Sequence, residues 1–169
     1  MKILCTGNPS HNTVARSIKK YFPTADFASR HSGYDLRMWD TESENFFKNK
    51  IVNYNILINS SFISLGAQLK ILNLTAEIWK SGHVINIGST SEYSGRNSEF
   101  GMYSIDKKSL RDRSLQLNDK NFKTTHIIAG GLNDGNPEHK DWLNIDHLAT
   151  TIKWILEQPF SVPIIGIEE

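Results

Sequence analysis

The sequence lacks most of the features that would tie it to a specialised class of protein. It holds a single cysteine, Cys5, so no intramolecular disulfide can form and no cysteine metal cluster is available. It has no charge surplus of either sign: 19 Lys and Arg stand against 18 Asp and Glu, a formal net charge of +1. A dedicated nucleic-acid binder normally shows a strong basic excess, so no nucleic-acid partner is expected. No apolar run approaches the roughly 20 residues needed to span a bilayer, and no membrane partner is expected either. The opening MKILCTGNPSHN breaks into turn residues too early for a signal peptide, and a cytoplasmic protein is expected. The six histidines fall at no metal-ligand spacing, so no metal site is expected.

What is present is an ordinary globular composition over 169 residues, enough to bury one core and expected to form one domain over 1–169. KILCT is a short apolar run closed by GNPS, a strand followed by a turn. HNTVARSIKKYF then places Val14, Ile18 and Tyr21 or Phe22 at helical spacing, with Ser10 or Asn12 as cap and Pro23 as stop. ADFAS reads as a second strand, with Arg30 just past its end. GYDLRMW is an ambiguous short strand, DTESENFFKNKI a helix with an acidic start, and YNILINSSF a strand apolar on both faces.

SLGAQLKILNLTAEIWK is the longest helical pattern. Leu65, Leu69, Leu72, Ala76 and Trp79 form one stripe, and Ala67, Ile71, Leu74 and Ile78 a second. Packing on a sheet requires only one. The second implies a partner subunit or further cover within the chain. SGHVINIGSTS is another buried strand, followed by a helix that holds Tyr103 and runs to about Leu117. KTTHIIAGG is a strand ended by glycines, NIDHLATTIKWILEQP a helix, and VPIIGI a last strand. NPEHKDW is left open between surface turn and lid. Strands alternating with helices predict an α/β fold: a doubly wound parallel sheet in a Rossmann-type, three-layer α/β/α arrangement.

Ligands of such sheets bind beyond the carboxyl ends of the strands. Small, polar and glycine residues collect there: TGNPSHNT, Asn59–Ser61, Ser89 and GGLNDG. Gly7 lets the chain turn tightly into a helix N-terminus, a place suited to a pyrophosphate. Arg30 stands where a ribose would end and can pair with a 2′-phosphate; alone it would read as a solvated charge. Tyr103 and Lys107 are four apart, on one helical face. A free phenol, with a pKa of about 10, is a poor acid or base at neutrality, and a neighbouring ammonium favours the phenolate. Ser89 closes the preceding strand, placed to hold a carbonyl oxygen beside that phenol.

Together these pieces resemble the short-chain dehydrogenase/reductase family. The matching segments are TGNPSHNTVAR for the glycine motif, ILINSSF for the Asn-Asn-Ala-Gly segment, VINIGS for the serine strand, YSIDK for the Tyr-x-x-x-Lys motif, and IIAGG for the Pro-Gly segment. The resemblance implies an NADP(H)-dependent oxidoreductase, with NADP(H) favoured over NAD(H). Tyr103 would be the acid/base, Lys107 would bind the nicotinamide ribose and lower the phenol's pKa, and Ser89 would polarise the substrate. Gly7, Ser10, His11, Asn12, Arg30, Asp35, Asn59, Ser60, Lys107 and Gly131 would line the cofactor, Arg30 selecting NADP and Asp35 meeting the adenine. A small-molecule or carrier-borne carbonyl substrate and a homodimer or homotetramer are implied as well.

The sequence also departs from the family. His11 and Thr13 replace the second and third glycines, crowding the backbone where a pyrophosphate would approach. Gly130 stands where the segment has proline. The relay asparagine aligns with Ser64. The chain is shorter than a usual member, with a brief segment after Gly131, and an open pocket is expected. Two alternatives follow: a nucleotide-binding or sensing module with reduced or lost catalysis, and a nucleotide-sugar epimerase or dehydratase using the same Tyr, Lys and Ser.

Overall fold

Alternating apolar residues decide the central sheet. In β1 (Ile3–Thr6), β3 (Ile56–Asn59) and β4 (Gly82–Ile87), successive side chains point to opposite faces. Leu4, Leu57 and Val84 are in register and face one core, whereas Ile3, Cys5, Ile56, Ile58, Ile85 and Ile87 face the other. Strands covered on both faces must be apolar on both, as these are. The structure is a computed structural model and describes residues 1–11, 13–34, 41–61, 64–94 and 101–168. GYDLRMW, read as an ambiguous strand, lies mostly outside them.

The remaining elements follow in chain order: α1 (Thr13–Tyr21), β2 (Asp26–Ala28), α2 (Thr41–Ile51), α3 (Ala67–Ile78), α4 (Gly101–Leu117), β5 (Phe122–Ala129), β6 (Leu132–Asn133), β7 (Leu143–Asn144), α5 (Ile145–Glu157) and β8 (Ile164–Ile167). Six parallel strands form the order β2-β1-β3-β4-β5-β8, and β6 pairs with β7 separately. Phe47 and Ile51 of α2, Ile71, Leu72 and Leu74 of α3, and Leu110 of α4 fill one face; Ile18 of α1 and Leu148, Ile152 and Ile155 of α5 fill the other. The expected three-layer, doubly wound arrangement is therefore the observed one.

Both stripes of α3 find cover within the chain. Leu72 and Trp79 from the first, and Ile71 and Leu74 from the second, enter the same core beside α2 and α4. Leu65, expected in the first stripe, precedes the helix and is exposed. Strand order reverses between β1 and β3, which sets the turn after Thr6 beside Ser60 and Ser61. Thr6 Oγ1 accepts from the N–H of Ser60 at 2.9 Å and of Ser61 at 3.1 Å. Among the described residues no helix is long and apolar enough to cross a membrane.

Candidate active site

The carboxyl end of β4 and the first turns of α4 bring Ser89, Tyr103 and Lys107 together. Ser89 has extended backbone and heads the 3-10 turn Thr90–Tyr93, accepting from the Ser91 N–H at 3.2 Å and the Ser91 hydroxyl at 3.0 Å. Tyr103 joins Ser89 in the wall of one cleft. The Ser104 hydroxyl donates to the Ser91 carbonyl and pins α4 to that turn. One helical turn on, Lys107 Nζ lies 5.3 Å from the centroid of the Tyr103 ring. It donates to the Ile87 carbonyl at 3.0 Å and to Gln68 Oε1 at 2.5 Å.

Lys107 is buried, and burial pushes its pKa down to about 8 against the opposing pull of Asp106 and Glu92. The phenol of Tyr103 moves the other way from expectation. Burial raises its pKa, the nearby Ser89 hydroxyl only partly offsets this, and the Asp106 carboxylate adds to the rise. Desolvation disfavours the phenolate and the ammonium alike, so the pair as it stands favours a neutral phenol. The expected net lowering of the Tyr103 pKa is thus corrected.

Three polar residues that sequence reasoning passed over complete the surroundings. Gln68, on a helix read only for its apolar stripes, is buried and gives its amide hydrogens to the carbonyls of Asn59 at 2.7 Å and Ile87 at 3.1 Å. It, and not the exposed Ser64, is the α3-side partner of Lys107. Glu92 and His126 are fully buried. Glu92 Oε2 meets His126 Nε2 at 2.9 Å and Oε1 meets Arg111 at 3.2 Å. His126 abuts the apolar run Ile127–Ala129 at the carboxyl end of β5, which was the available signal.

A cleft of about 630 Å³ opens over this end of the sheet, with Ser89, Ser91, Tyr103, Gly131, Trp142 and Glu168 in its wall. Trp142 belongs to the NPEHKDW segment, which folds as a turn whose His139 stacks on the indole at 3.7 Å. His139 is held by Asp134 at 2.9 Å. A Cβ on Gly131 would meet the Trp142 ring at 2.7 Å, so glycine lets the ring lie against the backbone. At Gly130, where the family segment has proline, the N–H donates to the Ile167 carbonyl at 2.9 Å, a bond proline could not make.

The other predicted residues sit around the β1–β3 junction. Gly7 has φ +127°, and a Cβ there would meet Ser61 Oγ at 2.9 Å. Ser10, His11 and Arg30 are exposed at the turns after β1 and β2, and those turns are joined where the Gly7 N–H donates to the Ala28 carbonyl at 2.9 Å. Ser60 is buried and donates to the Thr6 carbonyl at 2.5 Å. Asn59 does not reach the cleft. It is fully buried, its amide bonded to the Gln68 carbonyl and to Asn86 Oδ1 at 2.9 Å each, so it ties β3 to α3 and β4. Asn12 and Asp35 lie outside the described residues. Among the described residues no group of three or more His, Cys, Asp or Glu side chains is placed to hold a metal ion.

No protein-family model and no curated protein sequence matches the chain. Solved structures do. Serine dehydrogenase from Escherichia coli aligns with a TM-score of 0.72 at 16% identity, covering 100% of this chain and 98% of that one. A blue fluorescent protein from a metagenomic library, in complex with NADPH, gives 0.74 at 13% identity over 99% and 96% of the two chains. The 3-alpha-hydroxysteroid dehydrogenase from a Pseudomonas species, complexed with NADH, gives 0.66 at 9% identity over 99% and 95%. The chain has the short-chain dehydrogenase/reductase fold. Within that fold, Ser89, Tyr103 and Lys107 converge at the carboxyl end of the sheet, the end at which open α/β sheets take their ligands.

Proposed function

We propose that this protein is an NADP(H)-dependent oxidoreductase that interconverts a carbonyl compound and its alcohol, built as one cofactor-binding domain over residues 1–169 and working as a homodimer or homotetramer. The observation that carries this reading is that Ser89 and Tyr103 share the wall of an open cleft, with Lys107 one turn behind the phenol. The residues present suit a nicotinamide dinucleotide. The glycine-dependent approach of the Gly7 turn to Ser61 supports it at the sheet's switch point, and exposed Arg30 supports the NADP preference. When bound, the dinucleotide supplies or accepts the hydride.

The chain's own residues handle the proton and the substrate. The Ser89 hydroxyl holds the carbonyl oxygen. The Tyr103 phenol gives that oxygen a proton in reduction and takes one back in oxidation. Its raised pKa favours the donor form. Lys107, fixed by Gln68 and the Ile87 carbonyl, sets a desolvated ammonium beside the phenol. Gly131 and Trp142 shape the substrate side. The sensing-module alternative draws support from the raised phenol alone, since a phenol far above neutral pH is a slow base.

The deciding experiment compares wild type with Tyr103→Phe in NADPH oxidation over a carbonyl panel. Turnover should fall about 10²- to 10⁴-fold, the range of a lost general acid, with NADPH affinity unchanged within about twofold. Full activity in the variant would overturn the assignment. Binding with no turnover by the wild type would select the sensing module.

A further inference from the structure

A serine hydroxyl has one proton to give and two lone pairs to fill. At Ser89 a single residue fills both lone pairs. Oγ accepts from the Ser91 N–H at 3.2 Å and from the Ser91 hydroxyl at 3.0 Å. Only the Ser89 proton is left for a ligand. Ser91 itself is buried, and the turn that carries it is tied down on all sides. Its carbonyl accepts from the Ser104 hydroxyl of α4 and from the Ser94 N–H at 2.9 Å. The Glu92 N–H donates to the Ser89 carbonyl at 3.0 Å. The fully buried Glu92 carboxylate bonds His126 of β5 at 2.9 Å and Arg111 of α4 at 3.2 Å. The backbone of Ser91 therefore cannot draw away from Ser89 without also disturbing the Glu92 anchor.

We infer that Ser91 is a positioning residue for the reaction: by giving its N–H and its hydroxyl to Ser89 Oγ, it makes Ser89 a donor only, with its proton turned to the carbonyl oxygen of the substrate. The inference rests on the oxidoreductase reading for the identity of that acceptor. The chain of hydroxyls runs from Ser91 through Ser89 to the substrate oxygen, and each bond polarises the next. Negative charge grows on that oxygen during reduction, where a donor already oriented is most effective. In oxidation the alcohol's own proton finds no lone pair at Ser89, so it goes to Tyr103, which shares the cleft wall. The influence of Ser89 on the phenol has the same sense. Its hydroxyl favours the phenolate, as a donor does and an acceptor does not.

The test joins a map of the protons to kinetics. Neutron diffraction from deuterium-exchanged crystals of the intact protein should place a deuteron on Ser91 Oγ along the line to Ser89 Oγ, with the Ser89 deuteron off that line. A Ser89 deuteron lying toward Ser91 overturns the inference and leaves the oxidoreductase reading untouched. The kinetic probes are cyclohexanone, acetophenone and ethyl acetoacetate, with the matching alcohols as product inhibitors. Ser91→Ala keeps the N–H and removes the hydroxyl, which frees one lone pair of Ser89. Its kcat for reduction should fall about 5- to 10-fold, the size of one lost hydrogen bond, with KM within about twofold. The freed lone pair can accept from an alcohol, so the alcohol's inhibition constant should fall at least about threefold relative to the KM of its ketone. Ser91→Thr keeps the hydroxyl and should restore both values. A Ser91 that only braces the turn would lower kcat without moving the ketone-to-alcohol ratio, and that result overturns the inference, as does full activity in Ser91→Ala. Should Ser91→Ala fail to fold, the neutron map decides. If wild type reduces none of the three carbonyls, it is the oxidoreductase reading that fails, and the neutron map alone settles whether Ser91 fixes the Ser89 proton.

Discussion

Two regions at the carboxyl end of the sheet are built on opposite plans. Around Lys107, hydrogen bonds join residues far apart in the chain. Lys107 meets Gln68 across 39 positions, and Glu92 meets His126 across 34. All four side chains are buried. Around Asn8, several bonds close within a few residues, as from Ser10 to Asn8 or Ser29 to Ser32, and the side chains face solvent. Proton transfer requires groups held at hydrogen-bond distance, and only a packed interior gives that precision. The exposed turns are under no such requirement.

The comparison breaks most readily at Gly88. A Cβ there, just past the end of β4, would lie 2.2 Å from His126 Nε2 and 3.1 Å from the Ile127 carbonyl oxygen of β5. Gly88→Ala should lower unfolding stability by about 3 to 4 kcal/mol, at the upper end for overpacking a core, as measured by chemical denaturation. A loss under about 1 kcal/mol would show that His126 yields easily, and the buried region would not be rigid.

Part of this division was legible in the sequence. Tyr103, Lys107 and Ser89 are disclosed by local rules, one helical spacing and one strand end, and those rules survive folding. The sheet was legible because each strand alternates apolar residues toward two cores. Gln68, Glu92 and His126 were hidden because a buried polar group is defined by partners that only the fold supplies. Gln68 sits among leucines and isoleucines and gives no periodic signal. The Asn8–His31 contact was hidden for the same reason, since it joins turns after two different strands. Trp142 belonged to a segment whose glycine and histidine contacts exist only once β6 and β7 pair. The downward reading of the Tyr103 pKa failed because spacing shows the ammonium but not the desolvation.

A second, smaller effect follows from Lys107. Its folded pKa of about 8 lies below the ordinary lysine value of 10.5. The unfolded chain therefore binds more protons between those limits, and stability rises with pH across them. The penalty is fully present below the folded value and fades toward the unfolded one. Wild type should gain about 2 kcal/mol between about pH 8 and 10 relative to Lys107→Met, which has no such group. Parallel pH profiles for the two proteins would show that the amine is solvated, and the contrast between the two regions would lose its electrostatic half.

The smallest effect is expected in the other region. His31 is exposed, and its partners are the Asn8 amide and the tilted His11 ring. Surface changes of this kind usually move stability by no more than about 0.5 kcal/mol. His31→Ala should therefore leave the denaturation midpoint almost unchanged. A midpoint shift comparable to that of Gly88→Ala would mean that the turn after β1 is braced through His31. The exposed region would then be a structural joint between β1 and β2, and its imidazoles would be there to hold the fold.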